Sequence, residues 1–178
     1  MTFTNLTTLN PPTQIMAEKI IMMEVQPTSI IRDRELLVNI HCFCLMPNHY
    51  HLLLSTENKS SLTTFMRKVG TGYTLYFNEK YNRSGCLFQG RYKSIFIESN
   101  KYLIQLSKYI HLNPTKDCIV DNLMNYKYSS YLEYIGKKNL PSLIDKTIIS
   151  KQFRSHNDYQ CFVVNDEPIN VKGNYRLD

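Results

Sequence analysis

Residues 41–55 read HCFCLMPNHYHLLLS, and how this stretch folds decides the architecture of the chain. Before Met46-Pro47-Asn48 the sequence LLVNIHCFCL (36–45) suits a strand; after it, HYHLLLS (49–55) suits a second. Pro47 has no amide hydrogen for a central ladder, so the break between them reads as a turn. Strands joined by so short a connection pair antiparallel. Side chains alternate along a strand, which puts His49 and His51 on one face and Tyr50 on the other. Two imidazoles on one rigid platform can hold a single metal ion, because neutral imidazole is a common ligand for divalent ions. The plainer reading is a pair of ordinary hydrogen-bonded histidines on a half-buried strand.

Downstream, SLTTFMRKVGTGYTLYFNEKYNR (61–83) places Leu62, Phe65, Met66, Val69, Tyr73, Tyr76 and Phe77 at helical spacing, with Ser60 or Ser61 as N-cap. Gly70 and Gly72 weaken the middle of that helix. Residues 94–98 read as a strand. NKYLIQLSKYIHLNP (100–114) reads as a helix capped by Asn100, with Leu103, Leu106 and Ile110 as its apolar stripe and Pro114 ending it at Asn113. The order strand, strand, helix, strand, helix predicts an α+β fold: an antiparallel sheet with helices packed on one face. Residues 1–34 read as irregular, 35–136 as the principal domain and 137–178 as a C-terminal extension.

Composition narrows the function classes. The chain has 178 residues with 21 Lys and Arg against 15 Asp and Glu, a formal charge of +6. That balance permits binding to a polyanion without demanding it. Thirteen tyrosines and no tryptophan suit stacking on nucleic acid better than contact with lipid. The five cysteines, Cys42, Cys44, Cys86, Cys118 and Cys161, form no CxxC pair and read as reduced thiols of a cytoplasmic protein. No apolar run reaches the length of a membrane-spanning helix, so no membrane partner is expected.

A second group of residues bears on the histidine pair. Tyr109 and Asn113 lie four apart on the same side of the second helix. A tyrosine hydroxyl is a weak nucleophile at neutral pH until it or its electrophile is activated, and an amide oxygen one turn on could complete a metal's coordination. The plainer reading makes Tyr109 a core tyrosine and Asn113 a C-cap. A zinc site of Cys42, Cys44, His49 and His51 has the right ligand count and stays open, subject to strand register.

The ordered set CLMPNHYHLLL (44–54), GRYKS (90–94) and YIHLNP (109–114) resembles the HUH single-tyrosine transposases, especially the REP-associated tyrosine transposase subgroup. The resemblance runs from about residue 35 to about residue 136. It implies the ferredoxin-like HUH endonuclease fold, with Tyr109 as nucleophile and His49, His51 and Asn113 as ligands of Mg²⁺ or Mn²⁺. It also implies metal-assisted cleavage and rejoining of single-stranded DNA beside hairpins through a 5′-phosphotyrosine, in the cytoplasm at the nucleoid. Members occur as homodimers and as monomers. Arg67, Lys68, Arg91 and Lys93 are then candidates for phosphate contacts and Tyr92 for base stacking, against the plain reading of a solvated charged surface. One departure stands out. Members open with a strand carrying a Tyr-His-x-x-x-Arg-Gly-like segment, then a helix, whereas MTFTNLTTLNPP (1–12) reads as the end of that helix and its loop. The expectation is therefore a sheet missing its first strand. The competing expectation is a truncated, non-catalytic remnant that only binds DNA hairpins.

Overall fold

The computed structural model describes residues 2–6, 36–138 and 143–165. Four strands, β1 (Thr2–Leu6), β2 (Asn39–Leu45), β3 (Tyr50–Ser55) and β4 (Lys93–Phe96), form one antiparallel sheet in the order β2-β3-β1-β4. The third strand lies between the first two, as in ferredoxin-like sheets. The expected α+β architecture is present, but the expectation of a missing first strand is wrong. β1 occupies the sheet centre, with Phe3 opposite Leu53 on one side and Ile95 on the other. Its sequence, TFTNL, holds strand-favouring Thr and Phe but is too short, with no bounding apolar run, to specify a strand by itself. The two ladders it completes hold it there. The rest of residues 1–34 lies outside the described residues, as does the tail from 166 onward.

The hairpin forms as its sequence dictates. Met46 N donates to His49 O across the Pro47 turn (2.8 Å), and the register sets Leu45 opposite Tyr50, Cys44 opposite His51 and Phe43 opposite Leu52. A bulge falls between Ile40 and Cys42, at His41. That ring is put to use, with Nδ1 2.9 Å from the Asp145 carbonyl and Nε2 2.7 Å from Ser55 Oγ. The outer edge of β2 is covered: Leu45 N donates to Tyr128 O and Ser130 N to Phe43 O. An edge paired in this way offers no template to another chain.

Helix α1 (Lys59–Lys80) begins two residues earlier than a Ser60 cap would allow, because Asn58 in an extended conformation accepts from Ser61 N and serves as N-cap. It runs unbroken through Gly70 and Gly72. Helix α2 (Asn100–Lys116) is capped by Ser99 rather than Asn100. Pro114 does not end it. A proline inside a helix forfeits one amide bond, and the next turn still closes, with Asp117 N donating to Asn113 O and Ile119 N to Pro114 O (both 2.9 Å). Beyond a 3₁₀ turn at Leu123–Asn125 come the short helices α3 (Tyr131–Tyr134), α4 (Thr147–Ser150) and α5 (His156–Val164).

The core forms on both faces of β3, where Leu52, Leu53 and Leu54 are all buried. Helix α2 lies against β2 and β3. From the Tyr50 side, Phe88 stacks edge-on against Tyr50 and also meets Tyr73 of α1. Ile149, Tyr159 and Val163, from the C-terminal extension, are buried in the same core.

Candidate active site

The two histidines meet at the mouth of the hairpin. His49 Nε2 and His51 Nε2 stand 3.0 Å apart, with the rings edge to face. Asn48 Oδ1 accepts from His49 Nδ1 at 2.6 Å, which leaves the His49 Nε2 lone pair directed at its neighbour. His51 is 1% exposed, and burial, reinforced by His49, lowers its pKa to about 3. It is therefore neutral at physiological pH, the state in which imidazole binds metals. Two ligands at adjacent positions of an octahedral ion with bonds of about 2.1 Å stand about 3 Å apart. The observed separation fits that geometry. The same separation is also hydrogen-bonding distance between the two ring nitrogens.

Helix α2 brings the other two residues. The Tyr109 ring packs edge-on against His51, with centroids 5.6 Å apart. Asn113 lies one turn further along and is 5% exposed. Its Nδ2 donates to Tyr109 O (3.0 Å), so the amide is oriented and Oδ1 is the atom available to a ligand. Two imidazole nitrogens and an amide oxygen form a donor set that suits Mn²⁺ and Mg²⁺. Among the described residues no group of three or more His, Cys, Asp and Glu could hold a metal. That removes the four-ligand zinc reading, although Cys44 does sit opposite His51. Both cysteines are buried, desolvation raises their thiol pKa values well above the usual range, and Cys44 Sγ contacts Met46 Sδ instead.

The candidate DNA contacts spread over two elements. Arg67 and Lys68 are exposed on α1; Arg91 and Lys93 are exposed just before and at the start of β4. Tyr92 is half-buried, with its hydroxyl 3.4 Å from Thr63 Oγ1 of α1. This contact brings the Arg91–Lys93 segment against the first turns of α1, the helix that also carries Arg67 and Lys68. Two residues were missed from sequence. Asn48 was read only as turn chemistry, although its place beside His49 was the available signal. Lys116 was passed over because Pro114 was expected to end the helix; its Nζ lies 5.0 Å from the Tyr109 ring centroid.

His111, two residues after the tyrosine, points the other way. Nδ1 is 2.7 Å from Tyr159 Oη and Nε2 is 2.7 Å from Ser130 Oγ. Ser130 Oγ in turn accepts from Phe43 N and donates to Phe43 O. Helix α2 is thereby fastened to β2 and α5 on the side that carries His111, while Tyr109 and Asn113 lie on a different side.

Comparison with known proteins follows the same lines. Residues 23–113 match the family model described as "Transposase IS200 like". A curated Haemophilus influenzae protein named "Putative REP-associated tyrosine transposase" is 30% identical over 99 residues, which span 49% of this chain and 56% of that protein. The chain thus spans a little over half the length of this relative. A solved structure described as "Structure of the REP associates tyrosine transposase bound to a REP hairpin" has a TM-score of 0.56 at 18% identity, covering 82% of this chain and 87% of the other.

Proposed function

Because the chain belongs to the IS200-like transposase family, we propose that it cleaves and rejoins single-stranded DNA beside a hairpin, with Tyr109 as the nucleophile. The observation that carries this reading is the convergence of three rings: His49 and His51 with Nε2 atoms 3.0 Å apart, and Tyr109 packed on His51. In the proposed step Tyr109 Oη attacks phosphorus in line. The bond to the 3′ oxygen breaks, the phenol gives up its proton and the leaving 3′ oxygen takes one up, and a 5′-phosphotyrosine and a free 3′-OH result. The phosphoester energy is kept in the protein–DNA bond, so a different 3′-OH can reverse the step and exchange strands. Held by His49 Nε2, His51 Nε2 and Asn113 Oδ1, Mg²⁺ or Mn²⁺ would polarise the scissile phosphate as a Lewis acid. The chain's own part is to keep His51 neutral, to fix the His49 tautomer through Asn48, and to carry nucleophile and amide on one helix.

Arg67, Lys68, Arg91 and Lys93 would contact the DNA backbone, and Tyr92 would offer a ring edge beside them. The hairpin is suggested by the DNA named with the solved relative. No helix among the described residues is long and apolar enough to cross a membrane, and we place the protein with the DNA it acts on, at the nucleoid. A binding-only remnant was expected on the ground of a missing central strand. With β1 in that place, the catalytic reading has the better support.

The test is incubation with Mn²⁺ and a labelled single-stranded hairpin taken from the DNA flanking the protein's own gene, run on a denaturing gel beside Tyr109→Phe. A covalent band that disappears in the variant is the expected result. A hairpin that shifts on a native gel without any covalent band would reduce the function to binding.

A further inference from the structure

Helix α2 continues past Pro114 to Lys116, and this extra turn puts a cation on the nucleophile. Positions 109, 113 and 116 are spaced four and three apart and so share one side of the helix. Lys116 Nζ stands 5.0 Å from the Tyr109 ring centroid, in reach of a cation–π contact. The lysine is exposed, so its arm can turn toward an incoming ligand. Building on the phosphotyrosine reading above, we propose that Lys116 is a positioning residue that holds the scissile phosphodiester against Tyr109.

The chemistry favours this role for three reasons. At near-attack distance the phosphorus lies about 3–3.5 Å from the phenol oxygen, which brings the free phosphate oxygens within a rotamer change of an ammonium stacked on the same ring. In-line displacement gathers negative charge on those oxygens, and a fixed cation beside them stabilises that state more than the ground state. A lysine is a compact, mobile point charge, so it can leave the ring face for the phosphate without disturbing the helix. The plainer role is that of a last-turn cation facing the carbonyls at the C-terminal end of α2. That role would affect thermal stability but not the reaction specifically.

The two roles separate in single-turnover measurements of covalent adduct with a labelled hairpin, alongside hairpin affinity and melting temperature. For Lys116→Ala we expect the rate to fall about 10- to 100-fold, somewhat less than the loss of a buried transition-state donor. Hairpin affinity should stay within about twofold, since one exposed phosphate contact adds little to a backbone-wide interface. Lys116→Arg should retain most of the rate, and added methylammonium should partly rescue the alanine variant, which no structural role would allow. An unchanged rate overturns the proposal. So does a fall in rate that amine does not rescue, or one matched by lost affinity or a lowered melting temperature. If the wild-type chain binds the hairpin without forming adduct, the nucleophile assignment itself has failed, and the role of Lys116 falls with it.

Discussion

Lowering the pH from 7.5 to 5.5 should destabilise this protein by an amount traceable to individual histidines. His111 is fully buried and burial lowers its pKa to about 3, against an unfolded value of about 6.5. Its two ring nitrogens lie against hydroxyls, Nε2 2.7 Å from Ser130 Oγ and Nδ1 2.7 Å from Tyr159 Oη, and neither of these partners carries a charge that would favour the protonated ring. A base with a depressed folded pKa binds protons preferentially in the unfolded state, so its contribution is intact above pH 6.5 and is lost as the pH falls below it. At pH 5.5 the loss is about 1.4 kcal/mol. His51, also held at about 3, adds a similar amount. The Asp145 carboxyl, lowered by its bonds to Thr147, titrates below this window and leaves it unaffected. The assay is urea unfolding followed by circular dichroism at both pH values, in EDTA so that metal binding does not compete with protonation. His111→Phe leaves Tyr159 and Ser130 short of a partner and will be less stable at both pH values. The informative quantity is the difference between them, which should shrink by about 1.4 kcal/mol relative to wild type. An equal pH dependence in the two proteins would refute the claim that the buried imidazole is held neutral.

Other expectations concern separate parts of the molecule. Asn48→Ala should weaken Mn²⁺ binding about tenfold by calorimetry, because His49 loses the acceptor that fixes its ring; unchanged affinity would mean the tautomer needs no such support. Gly72→Ala should raise unfolding stability by about 0.5–1 kcal/mol, since a Cβ there meets nothing within 4 Å and the helix gains rigidity. Gly136→Ala should instead lower it by about 1–3 kcal/mol, because φ is +68° and the new Cβ would stand 3.2 Å from His156 Cδ2. Thiol titration with a water-soluble disulfide reagent should count Cys86, Cys118 and Cys161 in the native protein, with Cys42 and Cys44 appearing only on unfolding.

The parts of this structure that could be read from sequence are those with local causes. The Pro47 turn and the apolar runs beside it specify the hairpin, and the alternation rule puts His49 and His51 together before any coordinates are known. The stripe of Leu103, Leu106 and Ile110 likewise orients α2, and Asn113, two turns on from Leu106, continues it with Tyr109 at its margin. What was misread has non-local causes. β1 is a strand because β3 and β4 pair with it, and five residues of TFTNL, though Thr and Phe favour strands, do not announce those partners. The end of α2 was misplaced because Pro114 was judged by its own lost amide, whereas the turn beyond is closed by bonds from Asp117 and Ile119. That single error hid Lys116. The buried linkage through His111 was also invisible, since its partners lie 19 and 48 residues away.

The central position of β1 also imposes an order of events on synthesis. Thr2–Leu6 leaves the ribosome before both of its partners, which end at Ser55 and Phe96. At about 5–20 residues per second, that first segment waits roughly 5–20 s for the second of them. During this interval the histidine hairpin can form and capture β1, but the sheet is still open along β1. Tyr109 is translated only after β4. A nascent chain interrupted between His51 and Tyr109 carries the histidine pair without the proposed nucleophile, so translation itself delivers Tyr109 after the strands that support it.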